Sequence, residues 1–156
     1  MEHPFNGSAL CAVDAAGRVS LPLFILATMA RRSDAGAVMV GTHEADLCLS
    51  AYDRGHMRVL YADHERRRLA EDGSDTHYAR ARGLFGAVEE ARYGGDGTIT
   101  LPPMMRRKAE IEDLALFVGV GGTFEMWAPQ VALDGDDPNL RELAAWRSEE
   151  NDALVN

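Results

Sequence analysis

Polar and apolar residues alternate in two short stretches of the chain that have nearly the same form. Residues 17–22 align with residues 97–102 at an offset of 80, and both stretches keep the glycine, the alternation and the proline. Alternation places successive side chains on opposite faces of a strand, so Val19 and Leu21 are predicted to face a core while Arg18 points outward. Each stretch is therefore predicted to lead from a turn through a strand into a helix that begins near the proline.

The similarity continues beyond these stretches. Residues 37–41 match 117–121 at the same offset, and residues 48–52 match 123–127 at an offset of 75. The difference of five residues is one longer loop in the first copy, at residues 42–47. The chain is therefore predicted to contain a duplicated unit of roughly 40 to 45 residues. A unit of that size is too small to bury a large core alone, so the two copies need each other or a partner.

The pattern predicts a mainly β protein with short helices, of the α+β class. In the first unit it predicts strands at 10–13 and 18–21 joined as a hairpin, a helix at 23–32 ended by 33–36, and strands at 37–40 and 47–52. Between the units it predicts helices at 53–69, with Asp53 as N-cap, and at 76–84, separated by residues 73–75. The second unit is predicted to hold strands at 87–93 and 98–101, a helix at 103–109, and a hairpin of 116–120 with 123–127.

The last segment is predicted to form a helix that starts at Asp137 and Pro138. Its apolar stripe, formed by Leu140, Leu143 and Ala144, is narrow and surrounded by acidic residues. Two interpretations remain open, a helix docked on the protein or a mobile acidic arm.

Composition indicates an ordinary globular protein, with 46% hydrophobic and 26% charged residues. The chain shows neither an apolar run long enough to span a membrane nor a leading secretion signal, so we expect a cytoplasmic protein without a membrane partner. The net charge of −9 argues against nucleic acid. However, the segment from Asp134 onward holds seven acidic residues against two arginines, and elsewhere basic residues cluster. A locally basic face is therefore compatible with the total charge.

Candidate catalytic and metal-binding residues are few. Cys11 and Cys48 lie in strand-like apolar stretches without CxxC spacing, which favours buried free thiols. The five histidines do not occur at the i, i+4 spacing of metal ligands, and His64, beside an apolar stripe, is predicted to be an edge residue. No nucleophile, base or metal cluster converges in the sequence, so we expect no enzyme activity, no metal and no cofactor.

Asp14 and Arg18 form the most suggestive polar pair. Asp14 lies four residues before Arg18, across the predicted turn, where its carboxylate can fix the orientation of the guanidinium. A fixed guanidinium suits the recognition of a planar acceptor. The alternative is a surface turn closed by an exposed ion pair, which contributes at most about 1 kcal/mol to stability.

These motifs together resemble the MraZ family. The resemblance covers residues 5–130 and rests on Phe5-Asn6-Gly7, Val13-Asp14-Ala15-Ala16-Gly17-Arg18-Val19-Ser20-Leu21-Pro22, Leu49-Ser50-Ala51-Tyr52, Gly97-Thr98-Ile99-Thr100-Leu101-Pro102-Pro103, Val118-Gly119-Val120-Gly121 and Phe124-Glu125-Met126-Trp127. It implies a duplicated AbrB-like swapped-hairpin barrel with pseudo-two-fold symmetry and a terminal helix. The implied division is a first SpoVT-AbrB-like domain at 5–53, a helical linker at 54–86, a second domain at 87–130, and an acidic helix or tail at 131–156.

The resemblance also implies a function. MraZ proteins are nucleoid-associated regulators, expected here to act as a repressor of the division and cell-wall gene cluster. They assemble into ring-shaped homo-oligomers and bind tandem TGGG-containing repeats in promoter DNA. An Asp-x-x-x-Arg motif is assigned to their DNA contacts, and Asp14 and Arg18 match it in this sequence. Arginine bidentate to a guanine edge is the commonest specific base contact.

The second repeat departs from that motif, because Gly94 and Thr98 stand where Asp14 and Arg18 stand in the first. We therefore expect only the first repeat to read bases, while the second serves folding and assembly and contributes phosphate contacts from Arg106, Arg107 and Lys108. Two alternatives remain open. One is a diverged ring-forming assembly protein that does not bind DNA, and the other is an AbrB-type antitoxin whose toxin-binding tail is residues 134–156.

Overall fold

The computed structural model describes residues 3–32, 36–71 and 75–155. These residues form eight β-strands, β1 (Ser8–Ala12), β2 (Arg18–Ser20), β3 (Ala37–Thr42), β4 (Leu49–Tyr52), β5 (Val88–Arg92), β6 (Thr98–Thr100), β7 (Leu114–Gly119) and β8 (Phe124–Trp127). They also form six α-helices, α1 (Leu23–Arg31), α2 (Met57–Ala70), α3 (Thr76–Ala81), α4 (Pro103–Lys108), α5 (Pro129–Asp134) and α6 (Pro138–Val155). The predicted α+β class, mainly sheet with short helices, is confirmed.

The main sheet combines strands from both repeats. Its antiparallel order is β1-β7-β8-β4-β3-β5, so the first strand of each repeat lies at an edge beside a strand of the other repeat. The hairpins β3–β4 and β7–β8 meet at the centre through the β4–β8 pairing. The repeats thus share one sheet, in which each copy supplies an edge strand to the other.

The remaining two strands form a separate ribbon in which β2 pairs with β6. The backbone repeats itself across this ribbon, since Leu21 N–H donates to Gly97 O and Leu101 N–H donates to Gly17 O, both at 2.9 Å. Gly17 and Gly97 adopt positive φ angles of 86° and 70°, a region that glycine enters without steric cost. These reciprocal bonds give the ribbon its pseudo-two-fold symmetry.

The predicted hairpin of residues 10–13 with 18–21 is wrong. A turn does form, because Asp14 N–H donates to Arg18 O at 3.0 Å, but β1 continues into the main sheet and β2 leaves for the ribbon. Alternation specifies which face of a strand is buried and leaves its pairing partner open. Exchange with the other repeat lets both short strands bury their apolar faces.

The main core lies between the sheet, the ribbon and helices α1 and α4. Val19 and Ile99 of the ribbon are buried there, as the alternation predicts, and pack with Ile25, Met105 and the sheet residue Phe117. A second cluster on the other side of the sheet includes Leu116, Trp127 and Ala132 together with Leu140 and Ala144 of α6. Both sides of the sheet are therefore covered.

Two predictions about the linker need correction. Asp53 makes no side-chain hydrogen bond to the helical turn that follows it, because its carboxylate lies beside the buried Arg32 guanidinium. His64 is buried rather than at an edge, with its ring against Phe85 and its Nδ1 accepting from Arg80 Nε at 3.3 Å. In both cases a distant arginine supplies a partner that local sequence does not reveal.

Residues 33–35 and 73–74, predicted to end α1 and to separate α2 from α3, lie outside the described residues. The start predicted for α6 is confirmed, since Asp137 Oδ1 accepts from Asn139 N–H at 3.0 Å. Of the two interpretations of this segment, the structure shows the docked helix, in which Leu140 and Ala144 are buried and Arg147 Nε donates to Ser8 Oγ at 3.0 Å.

Candidate nucleic-acid interface

The turn before β2 presents Arg18 at one end of the ribbon. Asp14 Oδ2 accepts a hydrogen bond from Arg18 Nε at 2.8 Å. Asp14 Oδ1 accepts from the backbone N–H groups of Ala16 and Arg18, at 3.0 and 2.8 Å. The Arg18 side chain remains 64% exposed. Because Asp14 contacts the guanidinium through Nε, the terminal nitrogens remain as further donors. They are the donors that pair with a planar acceptor.

Electrostatics favour the ionised state of this carboxylate. The backbone N–H of Arg18, followed by its guanidinium, lowers the pKa of Asp14 below its ordinary value. The pair is therefore charged at neutral pH.

The outer face of the ribbon is polar. Arg18, Ser20 and Thr100 are exposed, and Ser20 Oγ lies 3.4 Å from Thr98 Oγ1 across the strands. The buried residues Val19 and Ile99 anchor the opposite face. A two-stranded ribbon with one anchored face and one polar face has dimensions that the DNA major groove accepts.

The turn before β6 keeps the backbone arrangement and lacks the guanidinium. Gly97 N–H donates to Gly94 O at 3.0 Å, as Gly17 N–H does to Asp14 O at 2.9 Å. Asp96 Oδ1 accepts the N–H of Thr98 at 3.1 Å and so replaces part of the role of Asp14. Because β2 and β6 are antiparallel, the two turns lie at opposite ends of the ribbon, and only one end carries an arginine.

Arg106, one of the three predicted phosphate contacts, donates to backbone carbonyl groups. Its guanidinium donates to Ile111 O at 3.1 Å, to Glu112 O at 2.7 Å and to Ala15 O at 3.4 Å. The contact with Ala15 joins α4 of the second repeat to the turn that carries Arg18. Arg106 is therefore placed to stabilise the turn that carries Arg18.

Arg107 and Lys108, the other two predicted phosphate contacts, are exposed at the end of α4. Among the described residues, neither shows an ion pair with a carboxylate. Their charges are therefore available to an anionic partner on the surface next to Arg106.

Four arginines of the other two clusters are paired with carboxylates. The Arg32 side chain is buried against Asp53, with 3% of its surface exposed. On α2, Arg66 pairs with Asp63, Arg67 with Glu44, and Arg68 with Glu65. These ion pairs neutralise the positive charge of the three consecutive arginines 66–68.

One further cluster was missed by sequence reasoning. His43, Cys48 and Glu125 bring a nitrogen, a sulfur and an oxygen ligand atom within 4.8 Å of one another. Histidine spacing does not reveal the cluster, because Glu125 comes from the other repeat. The available signal was the five extra residues at 42–47, which carry His43 to the sheet.

The shared sheet, exchanged edge strands and reciprocal ribbon define the class of this protein, a mainly β protein of the α+β class in which two repeats exchange strands. The chain is similar to proteins named transcriptional regulator MraZ. They include one from Cytophaga hutchinsonii, 27% identical over 90% of this chain and 91% of the relative, and one from Burkholderia cenocepacia strain J2315, 29% identical over 97% of both. No family model matches the chain. Similarity over nearly the whole length confirms the resemblance to the MraZ family that the sequence motifs indicate.

The relative from Hydrogenovibrio crunogenus is 28% identical over 90% of both chains and carries the same name. Within the part of the chain that the structure describes, no helix is both long and apolar enough to cross a membrane.

Proposed function

We propose that this protein is a sequence-specific DNA-binding transcriptional regulator that reads guanine through Arg18. The observation that carries the proposal is the exposed guanidinium held by Asp14 at the end of a polar ribbon. Names shared by relatives over most of the chain support the regulatory role. In this proposal residues 5–53 supply the reading turn, and residues 87–130 complete the ribbon and brace that turn through Arg106.

The proposed target is tandem TGGG-containing promoter repeats of the division and cell-wall gene cluster, with repression as the outcome. A bidentate contact between arginine and guanine discriminates between bases by about 1 to 3 kcal/mol, which is too little for a regulator acting alone. A ring-shaped homo-oligomer that offers one turn per subunit multiplies the affinity through effective concentration. Nucleoid association would follow from such binding.

Arg107 and Lys108 are proposed as phosphate contacts that position the ribbon. Phosphate contacts contribute affinity without sequence preference, and each makes binding more sensitive to salt. Arg106 is proposed to act through the turn and not as a phosphate contact itself.

Fluorescence anisotropy tests this function. A duplex carrying tandem TGGG repeats is compared with a scrambled duplex at two salt concentrations. The unsubstituted protein should prefer the repeats, and Arg18→Ala should bring its affinity down to that for the scrambled duplex. Arg18→Lys keeps the charge without the planar fork, so it should retain scrambled-duplex binding and lose the preference.

The double variant Arg107→Ala, Lys108→Ala is the matched control for charge. It should weaken binding to both duplexes similarly and reduce the salt dependence, since the affected contacts would be to phosphates. Unchanged preference in Arg18→Ala would refute the assignment of Arg18. Folded, oligomeric protein that binds neither duplex would favour the assembly-protein alternative.

A further inference from the structure

The cluster of His43, Cys48 and Glu125 lies on the sheet, away from the ribbon. His43 Nε2 is 3.0 Å from Glu125 Oε2, and the Cys48 sulfur lies within 4.8 Å of a ring nitrogen of His43 and of a carboxylate oxygen of Glu125. Cys48 is buried, whereas the His43 and Glu125 side chains are 22% and 14% exposed. The cluster is thus largely enclosed by protein and still open to solvent at one side.

Strand pairing explains how the three residues meet. Ser50 of β4 is paired directly with Glu125 of β8, so their side chains lie on the same face of the sheet. Cys48 precedes Ser50 by two residues, which places its side chain on that face as well. His43 reaches the same face because the longer loop of the first repeat closes with a 3.3 Å bond from His43 N–H to Cys48 O. The second repeat has only a short glycine turn at this position and offers no equivalent ligand.

We propose that His43 Nε2, Cys48 Sγ and Glu125 Oε2 bind a divalent transition-metal ion of the Zn²⁺ type. A mixed set of nitrogen, sulfur and carboxylate ligands suits Zn²⁺, whose fourth position water can fill. The 3.0 Å between Nε2 and Oε2 is about the separation of two ligands that each lie about 2.0 to 2.1 Å from zinc. A zinc-bound sulfur lies about 2.3 Å from the metal, so the thiol sulfur would move inward on binding.

The neighbouring groups fit the role of an outer shell. Glu125 Oε1 accepts from Trp127 Nε1 at 2.9 Å, which leaves Oε2 for the metal. Asp46 Oδ2 lies 3.9 Å from His43 Nδ1. Histidine ligands commonly donate their second N–H to a carboxylate, and Asp46 would accept it after a small approach to Nδ1.

Metal binding requires a change of protonation in the cluster. His43 Nδ1 now accepts the backbone N–H groups of Ala45 and Asp46 at 3.0 and 2.9 Å, so the ring proton is on Nε2 and donates to Glu125. A metal on Nε2 would place the ring proton on Nδ1, which would then no longer accept the two amide hydrogen bonds. Burial raises the pKa of the Cys48 thiol, whereas a cation at the sulfur favours the thiolate, whose proton is released to solvent.

A cleft of about 800 Å³ borders the cluster at Glu125 and Asp46. Asp46, Glu125, Asp136 and Asp137 contribute acidic side chains to its lining, which attract a cation. The metal would connect the long loop of the first repeat to β8 of the second. The site would therefore stabilise the join between repeats without touching the proposed DNA-reading turn.

Cobalt titration of the full-length, reduced and metal-free protein tests the proposal. Co²⁺ bound by a thiolate gives a charge-transfer band, which should rise to one equivalent and disappear when Zn²⁺ is added. The two cysteines give a matched pair of variants. Cys48→Ser should abolish the band, and Cys11→Ser should leave it unchanged.

Variants of the other two ligands test the site independently, in case Cys48→Ser does not fold. Glu125→Gln and His43→Gln should each weaken Co²⁺ binding at least about tenfold, with folding checked by circular dichroism. Asp46→Asn should weaken Co²⁺ binding about 10- to 100-fold if Asp46 orients the histidine. Glu44→Gln should leave Co²⁺ binding unchanged, because Glu44 pairs with Arg67 instead. A missing thiolate band in the unsubstituted protein, or a band lost in Cys11→Ser and kept in Cys48→Ser, would overturn the proposal.

Discussion

Arg32 connects four parts of the fold through a single side chain. Its guanidinium donates to Asp53 Oδ1 at 2.6 Å, to the carbonyls of Gly121 and Gly122, and to His3 O, and it lies 4.2 Å from the Phe5 ring centroid. A buried charge is stable only where such partners surround it. This residue is therefore a structural link between the N-terminal segment, α1, the end of β4 and the β7–β8 turn.

Replacing Arg32 by methionine should destabilise the protein strongly. The substitution leaves the Asp53 carboxylate buried without its partner, and breaking a buried ion pair in this way costs about 3 to 5 kcal/mol. Chemical denaturation measures the change in free energy of unfolding. Arg31→Met removes an exposed neighbour and should change the stability by less than about 0.5 kcal/mol. Equal effects of the two variants would contradict this role of Arg32.

Asp14 should titrate at a lower pH than an ordinary aspartate. Its pKa is lowered in the folded protein, so the contribution of the ordered turn is fully present above the unfolded-state pKa and is lost as pH falls through the lowered folded-state pKa. NMR titration of the carboxyl carbon measures this value. In Arg18→Ala the pKa should rise toward the usual range, because the guanidinium is lost while the backbone N–H groups remain. An unchanged pKa would show that the ion pair does not form in solution.

The ribbon is the element that carries the proposed interface, and glycines with positive φ at its turns set its geometry. At Gly97 the positive φ is combined with close packing, because an added Cβ would lie 2.8 Å from Leu26 Cδ1. At Gly94, in the same turn, an added Cβ would meet nothing within 4 Å. Substituting Gly97 and Gly94 therefore distinguishes the effect of backbone strain and close packing from the effect of replacing any glycine in this turn.

Gly97→Ala should lower the stability by about 2 kcal/mol, since the left-handed conformation alone costs a residue with a Cβ about 1 to 2 kcal/mol. Gly94→Ala should have little effect. Thermal unfolding of both variants makes the comparison, and DNA anisotropy then reports whether distortion at the β6 end of the ribbon reaches Arg18 at the other. Similar melting temperatures for the two variants would contradict the packing of Leu26 against this turn.

At the scale of the whole molecule, the exchanged strands make the two repeats interdependent. Residues 1–86 alone would leave β1, β2 and β3 without β7, β6 and β5, their partners in the other repeat. Unpaired strand edges and exposed apolar faces cannot be satisfied within one half.

We therefore expect residues 1–86 and 87–156, produced separately, to lack the native fold, and the two halves to recover it when mixed. Circular dichroism and size-exclusion chromatography would show the recovery as sheet signal in a complex of the two fragments. The undivided chain is the control. A stable, monomeric first half with native sheet content would contradict the exchange of strands.

Local features of the fold could be predicted because short stretches of sequence specify them. The buried Val19 and the exposed Arg18 follow from alternation, and the Asp14–Arg18 pair follows from residues four apart across a tight turn. The β7–β8 hairpin and the start of α6 were predicted for the same reason. The short helix α5 was not predicted from the sequence.

By itself, the sequence determined the duplication, the buried face of each strand and the turn that carries Arg18, since these depend on neighbouring residues. Only the tertiary structure decided that β1 pairs with β7, that Arg32 meets Asp53, that Arg106 braces a turn, and that His43 meets Glu125. Each of these contacts joins residues at least about 20 positions apart. Their pairing is selected by how the whole chain buries its apolar surface, which no short pattern encodes.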